Sequence, residues 1–245
     1  ARLAAKNTAV QVHAVGIHWN FSPVLDLARD PRWPRFWETF GEDPHLVSAM
    51  GTAMVDGYQN SGVPFAATLK HFFGYGFSLS GKDRTPAWIP ERQLLEYFVP
   101  SFQACVDAGA MSIMVNSGEM NGIPVHSNKA ILTDLLREEM GFEGVVVSDW
   151  EDVKYLVTRH RIALDYKDAA RMAIEAGLDM AMVPLDLEFS DALIELVEEG
   201  TISEQRLDVS VRRILTMKYR LGLFDTGGFP PSLDTYPAKE SLEES

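Results

Sequence analysis

The chain has 245 residues, the length of one large α/β domain. Its formal charge is −13, from 22 Lys and Arg against 35 Asp and Glu, which argues against nucleic acid and against an anionic membrane surface, because both require clustered Lys and Arg. The one cysteine, Cys105, leaves no internal disulfide and no Cys-based zinc site, and no apolar run reaches the roughly 18 residues that a membrane span needs.

In chain order, the opening "ARLAAKNTAV" reads as the interior of a helix, so the chain is expected to be a piece of something longer. Strand patterns fall at 17–27, 64–72, 112–118, 144–149 and 178–184, several of them continuous apolar runs of the kind covered on both faces. Helices with legible caps lie between them. Asp43 and Pro44 supply an N-cap and a first-turn proline for a helix through Tyr58. Pro90 precedes a helix that carries Cys105, read as a buried inert thiol, and Gly109 stops it. Thr133 starts a helix that Gly141 ends, and Gly177 ends the next. Ser190 starts one that Gly200 ends. Ser203 starts the last, apolar at Leu207, Val211, Ile214, Leu215, the Lys218 stem and Leu221, and Gly222 stops it.

Repeated β-α units imply a parallel sheet. No G-x-G-x-x-G follows the first strand, which removes the main sign of a dinucleotide-binding fold. Polar residues instead stand at the C-terminal ends of successive strands: Asp26 with Arg29, Lys70 with His71, then Asn116, Ser117 and Glu119, then Asp149. Barrels of the (β/α)8 type build their active sites there. The expected fold class is therefore α/β, a TIM-type barrel, incomplete in this chain, with up to three strands ahead of Ala1. After Phe224 the composition turns to Pro, Gly, Ser and acid, so residues 1–224 are expected to be a partial barrel and 225–245 a linker toward a further domain.

Asp149 ends the run "FEGVVVSDW" and has two readings. It could cap a helix beginning at Trp150. It could also be a carboxylate fixed by a buried valine strand at a barrel mouth, with Trp150 beside it to pack on a sugar face. Lys70 closes an apolar strand, where an unpaired ammonium is costly to bury and so needs an anion or hydroxyl partners. Arg35 is either paired with Asp30, Glu38 or Glu42 or is a fork donor for adjacent hydroxyls. No H-E-x-x-H or close His pair argues for a metal, no cofactor is expected, and His45, His126 and His160 are read as surface or loop residues.

Four blocks add a resemblance. "NFSPVLDLARDPRWPRFWETFGEDPHLVSAMG", "ATLKHFFGYG" and "GFEGVVVSDW" resemble, in order and spacing, the signature, Lys-His and nucleophile blocks of glycoside hydrolase family 3, with Pro34 in place of the usual Gly. "RILTMKYRLGLFD" resembles the end of that family's first domain. The resemblance implies a retaining exo-acting β-glycosidase, a β-glucosidase first of all, acting on an oligosaccharide or β-glucoside. It makes Asp149 the nucleophile, gives Arg35, Lys70 and His71 to the sugar hydroxyls, Trp150 to the wall of the first subsite, and Ser117 to the place where many members carry a Tyr. It also implies an α/β sandwich domain beyond this chain that supplies the acid/base, and a periplasmic or secreted protein. The family's N-acetylglucosaminidases carry an Asp-His acid/base on a barrel loop; here Tyr75 and Asp83-Arg84 replace those residues. Other readings are a β-xylosidase, arabinosidase or N-acetylglucosaminidase, a non-catalytic sugar-binding barrel, and a barrel lyase or aldolase with Lys70 as a Schiff-base lysine.

Overall fold

The computed structural model of the chain describes residues 1–225; all but the first residue of the expected linker lies outside them. Four parallel strands, β1 (Thr68–Phe72), β2 (Ser112–Val115), β5 (Val145–Trp150) and β6 (Met180–Met182), hydrogen-bond in the order β1-β2-β5-β6. The segment 18–25 runs parallel along the free side of β1: Ala66 N–H donates to His18 O (2.9 Å), Thr68 N–H to Ser22 O (2.9 Å) and Leu25 N–H to Lys70 O (2.6 Å). Pro23 has no N–H to give, so this expected strand survives only as isolated bridges at Trp19–Ala66 and Val24–Lys70.

Helices cover the connections. Helix α1 (Arg2–Ala14) packs on α2 (Pro44–Gln59), whose first turn is closed by Asp43 accepting from His45 N–H, as the sequence predicts. Between β1 and β2 the chain passes through α3 (Glu91–Gln93), a π-helical stretch Leu94–Phe98 and α4 (Val99–Asp107); α4 also packs on α2 and buries Cys105. Another π-helical stretch, Ala130–Glu139, leads into β5. It begins before Thr133, because Asn128 accepts from Ile131 and Leu132 N–H at the helix entry while the Thr133 hydroxyl donates to Ala176 O. Helices α5 (Asp152–Thr158) and α6 (Tyr166–Ala176) separate β5 from β6, and α7 (Glu188–Glu198) and α8 (Glu204–Arg220) follow. The α7 start lies ahead of Ser190 and uses no side-chain cap.

Every residue of β2, and β5 from Val145 to Asp149, is buried, which is what helices on both faces of a parallel sheet produce. In the last helix the expected apolar stripe holds at Leu207, Ile214 and Leu221, which pack inward with Ser210 and Met217, while Val211, Leu215 and Lys218 face outward. An ion cluster ties that inward face to the sheet. Asp179, at the entry to β6, accepts from Arg137 (2.6 Å) and Val146 N–H (2.9 Å) on one oxygen, and from Ser210 (2.8 Å) and Arg213 (2.9 Å) on the other.

A short hairpin, β3 (Glu119–Met120) and β4 (Ile123–Pro124), follows β2. Its loop is Asn121-Gly122, with φ of 52° and 84°, the two positive values that a two-residue hairpin turn demands.

Candidate active site

The ends of β1, β2 and β5 bring one group of polar side chains together around Asp149. Its Oδ1 accepts from its neighbour's amide, Trp150 N–H (2.6 Å), and its Oδ2 from the Ser117 hydroxyl (2.8 Å). His71 Nε2 stands 3.7 Å from Oδ2, and an Arg84 guanidinium nitrogen 3.7 Å from Oδ1. Burial pushes the Asp149 carboxyl up, but His71, the Trp150 amide, Ser117 and Arg84 together outweigh it and hold the group below the usual carboxylate range. Asp149 therefore does not cap α5. That helix starts after Glu151, which sits in left-handed backbone (φ 58°), and Asp149 uses its oxygens on groups from three other segments.

His71 is fixed from behind. Asp26, at the end of the 18–25 segment, accepts from the His71 ring Nδ1 (2.8 Å) and backbone N–H (3.2 Å), and both side chains are buried. An Asp–His contact of this kind orients the ring and leaves Nε2 toward Asp149. Lys70, its neighbour, is pushed below the ordinary lysine value by burial and by Arg35, against Glu38, Asp149 and Asp26. Its ammonium has no hydrogen-bond or ion-pair partner at contact distance among the described residues. Arg35 lies with one face against the Tyr75 ring (5.6 Å) and pairs through two nitrogens with Glu38 (2.8 and 2.7 Å), so the expected ion pair forms. Trp150 is exposed (49 %) at the end of β5, whose other residues are buried.

The strand ends sort their other polar residues differently. Asn116 shapes the turn after β2, donating to Phe73 O (2.8 Å) and accepting from Gly118 N–H (2.6 Å). Ser117 gives its proton to Asp149, so any sugar contact would use its acceptor side. Glu119 pairs with His160 (2.7 Å). Arg29 turns outward to lie over Tyr97 (4.7 Å) rather than pairing with Asp26. His126, expected at the surface, is buried, and desolvation lowers its pKa to about 3.

Two charged residues at this site were not legible as such. Arg84 binds Asp152 through one nitrogen (2.5 Å) and reaches Asp149 with another. Asp152 is buried at the start of α5, and burial followed by the Asp149 charge pushes its carboxyl up to about 7, against Arg84 and Ser117. Asp152 lies three residues from Asp149, but nothing local indicates an arginine 68 residues away from it in the chain.

Comparisons with known proteins fit this geometry. The chain is 51 % identical over 234 residues to the lysosomal beta glucosidase of Dictyostelium discoideum, covering 91 % of the chain and 28 % of that protein. To the periplasmic beta-glucosidase of Salmonella typhimurium it is 36 % identical, covering 91 % and 29 %, and a beta-xylosidase of Formosa agariphila is 38 % identical. Among solved structures, a beta-glucosidase from Listeria innocua in complex with glucose superposes with a TM-score of 0.93 at 37 % identity, over 99 % of this chain and 34 % of that one. The chain thus spans about a third of the length of these relatives, and its fold is the TIM-barrel-like α/β fold they share. The family model described as the glycosyl hydrolase family 3 N terminal domain matches residues 1–217, and the chain belongs to that family.

Proposed function

We propose that the protein carrying this chain is a retaining, exo-acting β-glycosidase, a β-glucosidase first of all, with Asp149 as nucleophile. The observation that carries the reading is the state of Asp149: a carboxylate held below its usual range, bonded on both oxygens, at the end of a buried strand. A nucleophilic carboxylate must be ionised and must not reorient between cycles, and these contacts supply both. An Asp149 oxygen forms a bond to the anomeric carbon as the bond from that carbon to the leaving oxygen breaks with its electron pair. A second carboxyl, roughly 5–5.5 Å from the first, protonates the leaving oxygen and then takes a proton from the water that cleaves the ester. That carboxyl lies outside these 245 residues in this reading. Residues 1–224 form part of the barrel, and 225–245 lead to the α/β sandwich domain that supplies it.

Lys70, His71 and Arg35 would hold the hydroxyls of the terminal sugar, and Trp150 would face its C–H surface. These contacts would strengthen as the ring flattens toward the oxocarbenium ion, the condition for accelerating the reaction rather than only binding substrate. The β-xylosidase relative supports a second reading in which the sugar is a pentose. The periplasmic relative supports a periplasmic or secreted location; among the described residues no helix is long and apolar enough to cross a membrane.

In the intact protein, a 2-fluoro β-glucoside with an activated leaving group should label Asp149, and Asp149→Asn should lower turnover by about 10³-fold or more with the fold unchanged. A label mapped by mass spectrometry to another residue refutes the assignment. A panel of nitrophenyl glycosides decides between glucose and xylose.

A further inference from the structure

The loop "SGKDRTP" at 80–86 places an arginine against the proposed nucleophile by an unusual route. Arg84 has φ of 56°, a left-handed conformation that L side chains other than Asn and Asp rarely adopt. Its loop is fixed on either side: the Tyr75 hydroxyl donates to Asp83 (2.6 Å), and the Ser80 and Thr85 hydroxyls bond each other (2.6 Å). From there the guanidinium reaches over the Tyr155 ring (5.6 Å), binds Asp152, and presents its second terminal nitrogen 3.7 Å from Asp149 Oδ1. One planar fork thus spans two acids, one at the end of β5 and one in the first turn of α5. Asp152 is committed to this contact. Its other oxygen has no partner among the described residues and lies 3.9 Å from His126 Nε2, which has none either.

We propose that Arg84, anchored by Asp152, is a positioning residue that tunes Asp149 for both halves of its cycle. The inference rests on Asp149 being the nucleophile. In the first half Asp149 must attack, and a guanidinium drawn tightly onto it would quench its lone pairs. Asp152 holds Arg84 back, so the approach to Asp149 stays at 3.7 Å rather than at hydrogen-bond length. In the second half Asp149 is the leaving group. Water adds to the anomeric carbon, its proton going to the second carboxyl, and the ester C–O bond breaks with its electron pair returning to Asp149. A cation already aimed at Oδ1 stabilises the charge that develops there, with little reorganisation. The other groups around the guanidinium are Asp83 on its own loop (3.9 Å), Tyr75, His126, and Arg159, which also lies over Tyr155 (4.9 Å). The acceptors that its two terminal nitrogens approach belong to Asp152 and Asp149, whereas Asp83 faces Nε.

The test compares Arg84→Gln and Arg84→Lys with the parent in the intact protein, using an activated aryl β-glucoside whose glycosylation is fast. Arg84→Gln should raise the acidic limb of kcat/KM by about one pH unit, because Asp149 loses a cation that favours its ionised form. It should lower kcat at least tenfold with a parallel fall in KM, and show a burst of aryl alcohol as the glycosyl-enzyme accumulates. Arg84→Lys keeps the charge, so its acidic limb should stay at the parental pH and part of kcat should return. Arg84→Met removes the same charge if Gln disturbs folding, which thermal melts report. Equal losses in kcat and kcat/KM, an unmoved limb, no burst, and a Lys variant no better than Gln would overturn the inference and leave Arg84 as a loop anchor. Failure of the parent to label at Asp149 would instead refute the nucleophile assignment itself.

Discussion

Asp149 and Asp152 are three residues apart, and their surroundings push them in opposite directions. Asp149 has hydrogen bonds on both oxygens, with Arg84 near one and His71 near the other, so its ionised form is favoured despite burial. Asp152 has one arginine and an unpaired oxygen, so burial and the Asp149 charge win, and its carboxyl rises to about 7. A carboxyl whose pKa is higher folded than unfolded adds stability that is complete below about pH 4 and is lost as the pH rises through about 7. Relative to Asp152→Asn, the parent should therefore lose stability between pH 4 and pH 8, on the order of a few kcal/mol across that window. Melting temperatures of both proteins across the range check this; curves that stay parallel would mean that Asp152 does not titrate there. At the same scale, the Lys-His pair shows how much a dipeptide conceals. His71 is held by Asp26 through its ring and its backbone N–H, while the neighbouring Lys70 is acted on by Arg35, Glu38, Asp149 and Asp26 without a hydrogen bond among the described residues.

At the scale of elements, the strand that carries Asp149 is aimed by its first residues. Gly144 enters β5 where a Cβ would meet Met111 O at 2.3 Å and the Phe142 ring at 2.6 Å. One obstacle is backbone of the chain leading into β2, so it cannot rotate away. Gly144→Ala should destabilise the protein by about 1–3 kcal/mol by forcing β5 from β2, read as a fall in the denaturant midpoint; a change of a few tenths would show that the neighbouring chain yields. The role of this glycine is close approach between chains. The β3–β4 hairpin shows the converse case. Asn121-Gly122 is a strong local hairpin signal, and the clamp it brings, Asn121 bonding Ile89 N–H and O (2.8 Å each), is long-range.

Over the whole molecule, charge is divided by depth. The C-terminal ends of the strands hold Asp149, Asp152, His71, Lys70 and Arg84, a group with valences unspent. At the opposite ends, Asp179 is saturated by Arg137, Arg213, Ser210 and the Val146 amide, and ties α8 and the π-helical stretch to the sheet. Saturation marks a structural cluster and open valence a site for a ligand. Removing the acid would leave two guanidinium groups without their counter-charge. Asp179→Ala should thus cost about 3–5 kcal/mol in chemical denaturation of the intact protein, and turnover of the folded fraction should be unchanged. A loss well below 1 kcal/mol would show that solvent replaces the acid.

The sequence by itself determined the α/β alternation, four of the strands, most helix ends and the identity of Asp149, Lys70 and His71 as strand-end residues. Each of these follows from local rules: apolar runs, caps, stop glycines, and polar groups where an apolar run ends. The resemblance extended that to the family. Only the tertiary structure decided which partners those groups meet. It set Arg84 between two acids, Ser117 on Asp149, Asp26 behind His71, His126 in the interior, and the inward face of α8. These contacts join residues from about 30 to about 70 positions apart, and pairing at that separation is chosen by how the strands stack and by where buried charge can be neutralised, which no window of neighbouring residues records.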